Sequence, residues 1–173
     1  RGFAHGNNLG AAIARGKYLF FLNNDTYVKD NSIQCLVERL DSDDSIGGVS
    51  PMLRYTDEYG LIQFAGFTPL SRYTLRNKSI GNGDFVDDSY LIPMEIPYLH
   101  GAAMMVRREV YEKTGGMPTQ YFLYYEELDW SLSIRNCGYR LWYEPGCVIY
   151  HKESLKNELM GVVNKMLEQL MLV

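Results

Sequence analysis

The sequence is poor in several features that would have directed its function elsewhere. Cysteine is scarce: Cys35, Cys137 and Cys147 are the only ones among 173 residues. Their number is odd and no two stand in a Cys-x-x-Cys pair, which argues against a disulfide-stapled scaffold or a zinc ribbon and fits a reducing compartment. Long apolar runs are missing as well. No stretch reaches the ~20 apolar residues that a membrane-crossing helix needs, and Tyr18 to Leu22 has only the length of a strand. The chain is therefore expected to be soluble and cytoplasmic, with peripheral contact at the inner face of a membrane left open. Positive charge is in deficit, with 17 basic residues against 21 acidic ones and a net charge of −4. With no dense Lys/Arg stripe, nucleic acid is not expected as a partner. A phosphate-bearing small ligand needs only a few local groups and stays open. Nothing resembling a signal segment or an initiator Met opens the chain at Arg1, so it reads as a fragment that starts inside a motif.

What is present reads as one globular domain, with 46% hydrophobic and 22% charged residues. Leu9 to Arg15 is Ala-rich and predicts a helix, with Asn7 and Asn8 as caps and Gly16 as its stop. Tyr18 to Leu22 is apolar at every position, which predicts a strand covered on both faces. Ile33, Leu36, Val37 and Leu40 repeat at helical spacing behind Asp30 or Asn31 as cap, and Ile46 to Leu53 predicts a strand. From Arg54 to Pro97 the pattern loosens, as expected of a loop that covers a site. Regular structure resumes with a strand at Ala102 to Val106 and a helix at Arg108 to Thr114 closed by Gly115 and Gly116. A helix at Glu126 to Asn136 follows, then strands at Tyr139 to Tyr143 and Val148 to Tyr150. Apolar residues from Leu155 to Met171 form one helical face, so residues 152–173 are expected to be an amphipathic helix that packs on this chain, on a partner or on a membrane surface.

Two acidic groups stand out. Asn23-Asn24-Asp25 directly follows the first apolar strand, and in open α/β sheets ligands bind beyond the carboxyl ends of strands. Oxygen ligands there suit a hard divalent cation, although Asn and Asp are also ordinary turn formers. Glu126, Glu127 and Asp129 crowd a helix start. One of them can serve as a base towards a hydroxyl, or all three can simply complement the helix dipole. His151 follows the last apolar segment and is a common type of metal ligand. Trp130 offers a stacking surface for a sugar ring, with burial in the core as the alternative.

In order and spacing, Gly2-Phe3-Ala4 with Gly6-Asn7-Asn8-Leu9-Gly10, Tyr18 to Thr26, His100 to Val110, Gly115-Gly116, Phe122 to Trp130 and Gly138 to His151 resemble family-two glycosyltransferases of GT-A fold, in particular the bacterial rhamnosyltransferase-like branch. The resemblance implies an α/β fold, with a GT-A-like (Rossmann-like) mixed sheet flanked by helices. Residues 1–151 would be a partial catalytic domain that lacks the first strands and their nucleotide-base pocket. It also implies transfer of a sugar from a nucleotide-diphosphate sugar donor to a hydroxyl of a glycan or lipid-linked glycan acceptor, with inversion, in cell-surface polysaccharide assembly.

By position, Asp25 would hold Mg2+ or Mn2+ against the diphosphate, with His151 as a second metal ligand. Asn23 takes the first position of that element, keeping an oxygen donor without its charge. Glu127 would be the base, with Glu126 and Asp129 beside it. Asn8 and Asn24 would border the donor, His100, Gly101 and Ala102 would line the donor sugar and acceptor region, and Trp130 completes the substrate set. An exposed strand edge predicts self-association. The rival reading is a non-catalytic remnant that binds carbohydrate or a partner. A nucleotidyltransferase fits less well, since the basic Gly-rich loop that it needs is not in the sequence.

Overall fold

The structure, a computed structural model, describes residues 2–29, 31–56, 59–74, 76–121 and 125–152. Seven strands and four α-helices follow along it: α1 (Phe3–Ile13), β1 (Tyr18–Leu22), β2 (Thr26–Val28), α2 (Ile33–Ser42), β3 (Ile46–Tyr55), β4 (Ile62–Phe64), β5 (Met94–Glu95), β6 (Ala103–Arg107), α3 (Arg108–Thr114), α4 (Glu126–Asn136) and β7 (Arg140–His151). They form one mixed sheet in the order β1-β6-β3-β7-β2, with β4 on β3 and β5 on β7. Residues 153–173, where a C-terminal amphipathic helix was expected, lie outside the described residues. Among the described residues, no helix is long and apolar enough to cross a membrane.

The two long strands organise the sheet because each is long enough to serve two partners along one edge. Gly48 and Val49 of β3 pair with β6, while Leu53 and Arg54 pair with β4. Trp142 and Tyr143 of β7 pair with β5, while Ile149 to His151 pair with β2. On their other edges β3 and β7 pair with each other in parallel, from Ile46↔Arg140 to Tyr55↔His151. A register shift at Pro51/Met52 takes up the extra residues of β7, so the two segments expected as separate strands are one bulged strand.

Burial corrects one strand assignment. β3, not β1, is covered on both faces, with nine of its ten residues buried, as central strands of mixed α/β sheets are. In β1 burial alternates instead: Leu19 and Phe21 are inside, while Tyr18 and Phe20 are only half-buried. The reason is position. β1 ends the strand order, so only β6 flanks it among the described residues.

α1 starts earlier than its composition suggests, and this overturns Asn7 and Asn8 as caps. The cap position is Gly2, which makes no side-chain cap bond, and both asparagines lie inside the helix. Asn7 Nδ2 donates to the Phe3 carbonyl at 3.1 Å. α2 likewise begins behind Ser32 rather than Asn31, and Ser32 Oγ reaches Cys147 Sγ at 3.6 Å. The loose region from Arg54 to Pro97 is more ordered than a covering loop, since Ile62, Gln63 and Phe64 of β4 are buried.

Arg107 ties helix to sheet from inside. Only 5% exposed, it donates from Nε to the Ile46 carbonyl at 2.8 Å. Its terminal nitrogen donates to the Leu40 carbonyl and, at 3.2 Å, to that of Asp43. These carbonyls lie at the end of α2 and the start of β3, so one buried guanidinium bonds both elements, and leaving a buried charged donor unmet would cost about 1–3 kcal/mol or more.

Candidate active site

Most of the residues singled out in the sequence gather at one end of the sheet because several elements end there. β1 ends at Leu22, and the next amide, Asn23 N–H, donates to the Ala102 carbonyl at 3.0 Å. The Asn23 carbonyl in turn accepts from Thr26, at 2.6 Å from Oγ1 and 3.3 Å from the amide. This closed turn delivers Asp25 to the start of β2. Thr26 pairs with His151 across the β2–β7 ladder, and the Lys152 amide donates to the Asp25 carbonyl at 2.9 Å. Asp25 Oδ1 then lies 3.1 Å from His151 Nε2. Asn24 is exposed on the same turn.

His151 is fixed from behind by a residue that the sequence did not single out. Its Nδ1 lies 2.9 Å from Gln63 Oε1, and the ring is buried. A glutamine in a short strand carries no motif, so only the β3–β4 pairing could have revealed it. Gln63 fixes the ring's orientation, as the outer partners of metal-binding imidazoles do.

His100 stands on the other side of the turn. Its ring stacks on Phe67, with centroids 5.6 Å apart and planes 6° apart, and meets the edge of Phe64 at 4.9 Å. The Ala102 amide donates to His100 Nδ1 at 3.1 Å. Burial, together with the nearby His151, pushes the pKa of His100 down to about 3, so the ring is neutral near pH 7. The segment is anchored by two buried serines. Ser50 Oγ accepts from the His100 amide at 3.0 Å. Ser131 Oγ accepts from the Leu99 amide at 3.0 Å and donates to the Glu127 carbonyl at 2.6 Å. Ser131 thereby locks the first turn of α4 to the His100 segment.

The three carboxylates of α4 have separate environments. Glu126 is 2% exposed, and its Oε2 has no hydrogen-bond partner among the described residues. Glu127 lies beside the His100–Ala102 turn: a Cβ on Gly101 would sit 3.6 Å from its carboxyl carbon. It also lines a pocket of about 200 Å3 with Phe67, Asn77, Tyr98 and Tyr125. Asp129 is engaged by Tyr121 Oη at 3.1 Å and Gln120 Nε2 at 3.4 Å, which holds the Tyr121 hydroxyl above its usual pKa. Tyr125, directly before this helix, has φ 72° and is 63% exposed. A tyrosine in this left-handed region is strained.

Two expected binding residues are structural instead. Trp130 is 1% exposed, packs edge-on against Phe21 at 5.4 Å, and donates from Nε1 to Thr114 Oγ1 at 2.8 Å. Neither ring face is open to a sugar. Asn8 spends its amide on one residue, donating to the Met117 carbonyl at 2.7 Å and accepting from the Met117 amide at 3.0 Å. This pair of hydrogen bonds clamps α1 to the turn after α3, and it explains Gly116. With φ +79°, that residue would place any Cβ 2.6 Å from Asn8 Oδ1. Ala102 is buried and contributes its carbonyl rather than a side chain.

The residues present fit a divalent cation. Two donors 3.1 Å apart, a carboxylate oxygen and an imidazole nitrogen, have the separation of adjacent ligands around an octahedral ion, about 3 Å for bonds of about 2.1 Å. Imidazole with carboxylate suits Mn2+ as well as Mg2+. Among the described residues no third His, Cys, Asp or Glu joins them, so further ligands would come from water or from a bound phosphate.

The neutrality of His100 gives a prediction. As pH falls below about 6.5, the unfolded chain takes up a proton at this ring that the folded chain refuses until about 3. Stability therefore drops on acidification, by up to about 1.4 kcal/mol per pH unit from this group. Urea midpoints measured from pH 7 to pH 4 are expected to fall less steeply in His100→Gln than in the parent. Equal slopes would show that His100 titrates normally in the fold.

The family model for glycosyl transferase family 2 matches residues 1–115. The chain is 25% identical over 170 residues to the rhamnosyltransferase WbbL of Escherichia coli (strain K12), covering 87% of this chain and 60% of that protein. It thus spans less than two thirds of this curated relative. Among solved structures, GalNAc-T7 with UDP, GalNAc and Mn2+ superposes with a TM-score of 0.71 at 19% identity, over 90% of this chain and 31% of the other. The mannosyltransferase PcManGT from Pyrobaculum calidifontis, in complex with GDP-Man and Mn2+, superposes with a TM-score of 0.59 at 21% identity, over 90% of this chain and 37% of the other. The mixed sheet flanked by helices is accordingly the GT-A fold, and the chain belongs to glycosyl transferase family 2.

Proposed function

We propose that the protein carrying this chain transfers a sugar, rhamnose being the first candidate, from a nucleotide-diphosphate sugar to a hydroxyl of a glycan or lipid-linked glycan, with inversion, in cell-surface polysaccharide assembly. The observation that carries this reading is the meeting of the Asp25–His151 pair and Glu127 at one end of the sheet. The relatives support it: one is named a rhamnosyltransferase, and two solved neighbours hold UDP or GDP-Man together with Mn2+.

In this reading Asp25 and His151 hold Mg2+ or Mn2+, which when bound supplies positive charge to the diphosphate of the donor. Asn23 and Asn24 border the donor on the turn that carries Asp25. Glu127 faces the acceptor and takes the proton of its hydroxyl as that oxygen attacks the anomeric carbon. The bond from that carbon to the diphosphate breaks, and its electron pair leaves with the nucleoside diphosphate. Glu127 is favoured over its neighbours because Glu126 is buried and Asp129 is occupied by Tyr121 and Gln120. Neutral His100 and the Gly101 backbone shape the space between donor and acceptor. The aromatic pocket with Phe67, Tyr98 and Tyr125 suits a sugar acceptor, and the segment from Phe67 to Pro97 sets which acceptor fits.

The test is calorimetric titration of UDP, dTDP and GDP with and without Mn2+. Metal-dependent binding is expected in the parent chain and in Glu127→Gln, and at least ~10-fold weaker binding in Asp25→Ala. Glycan binding that ignores both nucleotide and metal would favour a non-catalytic remnant. Failure of every nucleotide to bind, both to this chain and to a longer one extended upstream, would reject the transferase reading.

Among the described residues only β6 pairs with β1, and the other edge of β1 borders a groove of about 280 Å3 formed with Gly6, Asn7 and Gly10 of α1. Self-association of this chain through that edge is part of the same proposal, because unpaired strand edges recruit other strands. Light scattering is expected to show dimers at high concentration, and a strict monomer would count against it.

A further inference from the structure

A second group of side chains gathers where β2 and the ends of β3 and β7 lie side by side. The ladders place Tyr27 on one flank of Tyr150 and Arg54 on the other. The Tyr27 ring stacks on Tyr150 with centroids 5.1 Å apart and planes at 13°. Lys29 Nζ lies 4.2 Å from the centre of the Tyr150 ring, and Arg54 Cζ lies 5.7 Å from it. With Tyr59 and Gly60 these residues line a pocket of about 240 Å3.

Three features mark this pocket as built for a ligand. First, it gathers two cations around one ring. Among the described residues neither Lys29 nor Arg54 has a carboxylate partner, and two like charges held around one ring repel each other. Second, the Arg54 fork is held in place, since its Nε donates to the Gly60 carbonyl at 2.7 Å. A guanidinium fork held in this way binds an oxyanion with little ordering cost. Third, Tyr27 and Tyr59, 40% and 61% exposed, stand beside the cations in a pocket whose lining is mostly polar, which suits a ligand rich in hydroxyls and charge with an aromatic ring alongside.

We propose that this pocket binds an anionic sugar, a pyranose bearing a phosphate or a carboxylate, with Arg54 and Lys29 on the oxyanion and the tyrosine faces against the ring. Successive residues of a strand point to opposite faces, so Tyr150 and His151 carry this pocket and the Asp25–His151 pair on opposite sides of the sheet. The pocket is therefore not the donor site. It gives an anionic glycan a second point of attachment, and it stands whether or not the transferase reading holds.

The test is a titration of the chain, followed by amide shifts in 1H–15N spectra, with glucose 6-phosphate, glucuronate, glucose and inorganic phosphate as probes. Both anionic sugars are expected to bind with millimolar Kd and to shift the amides of Tyr27 and Tyr150, with glucose and free phosphate each at least ~10-fold weaker. The double variant Lys29→Gln, Arg54→Gln is expected to lose at least ~10-fold in affinity for both anionic sugars. Tyr27→Ser should weaken the sugar phosphate and leave free phosphate unchanged, and Asp25→Ala should alter none of these values. Thermal melts confirm that the variants are folded. Glucose or free phosphate binding as tightly as the anionic sugars, or affinity that survives the double variant, would overturn the proposal, as would no binding of either anionic sugar. Loss in Asp25→Ala would also overturn it, by placing the ligand at the donor site.

Discussion

The parallel ladder between β3 and β7 determines where every side chain of the site can stand. It runs from Ile46↔Arg140 to Tyr55↔His151, with β3 buried along nearly its whole length. Because strand side chains alternate between faces, a slip of one residue between β3 and β7 would turn His151 away from Gln63 and bring Tyr150 in its place. Two short strands complete the arrangement from opposite sides. β2 pairs with the end of β7 and brings Asp25 to His151, while β4 pairs with the end of β3 and brings Gln63 to the other ring nitrogen. Neither short strand has enough apolar surface to hold a position alone, and both take theirs from the long pair.

Four polar side chains buried at this end of the sheet have partners, and the pairing does mechanical work. Ser50, Ser131, Gln63 and His151 are all buried and hydrogen-bonded. Each bond adds little net stability, but leaving any of these partners unmet is expensive. The result is that the His100 segment, the first turn of α4 and the end of β7 are fixed relative to one another before any ligand arrives. Such preorganisation is what lets a carboxylate and a charged ion act across a small gap.

The sequence was informative where chemistry depends on residue type and uninformative where it depends on pairing. Asp25, His151 and Glu127 follow apolar segments or open a helix, so local pattern alone puts them at element ends, and the structure gathers those ends. Gln63, Ser50 and Ser131 carry no local signal, because their partners lie 88, 50 and 32 residues away in the chain. Asn8 and Trp130 misled for the opposite reason. Asn8 sits near a strand that carries the site, and Trp130 sits in a helix that carries it, yet both side chains turn inward to satisfy a backbone turn and the core. The β1 strand also misled, because unbroken apolar character reveals what a strand can bury and not how many neighbours will cover it.

Orientation is what the account asserts most strongly: His151, aligned by Gln63 and facing Asp25, is in place to bind a metal ion through Nε2. Pulsed electron paramagnetic resonance of the chain with bound Mn2+ reads this directly, since a coordinated imidazole nitrogen couples to the metal's electron spin. The account predicts a nitrogen coupling in the parent that disappears in His151→Gln and weakens or shifts in Gln63→Leu. Mn2+ bound tightly with no nitrogen coupling in the parent, or with the same coupling after His151 is replaced, would contradict it.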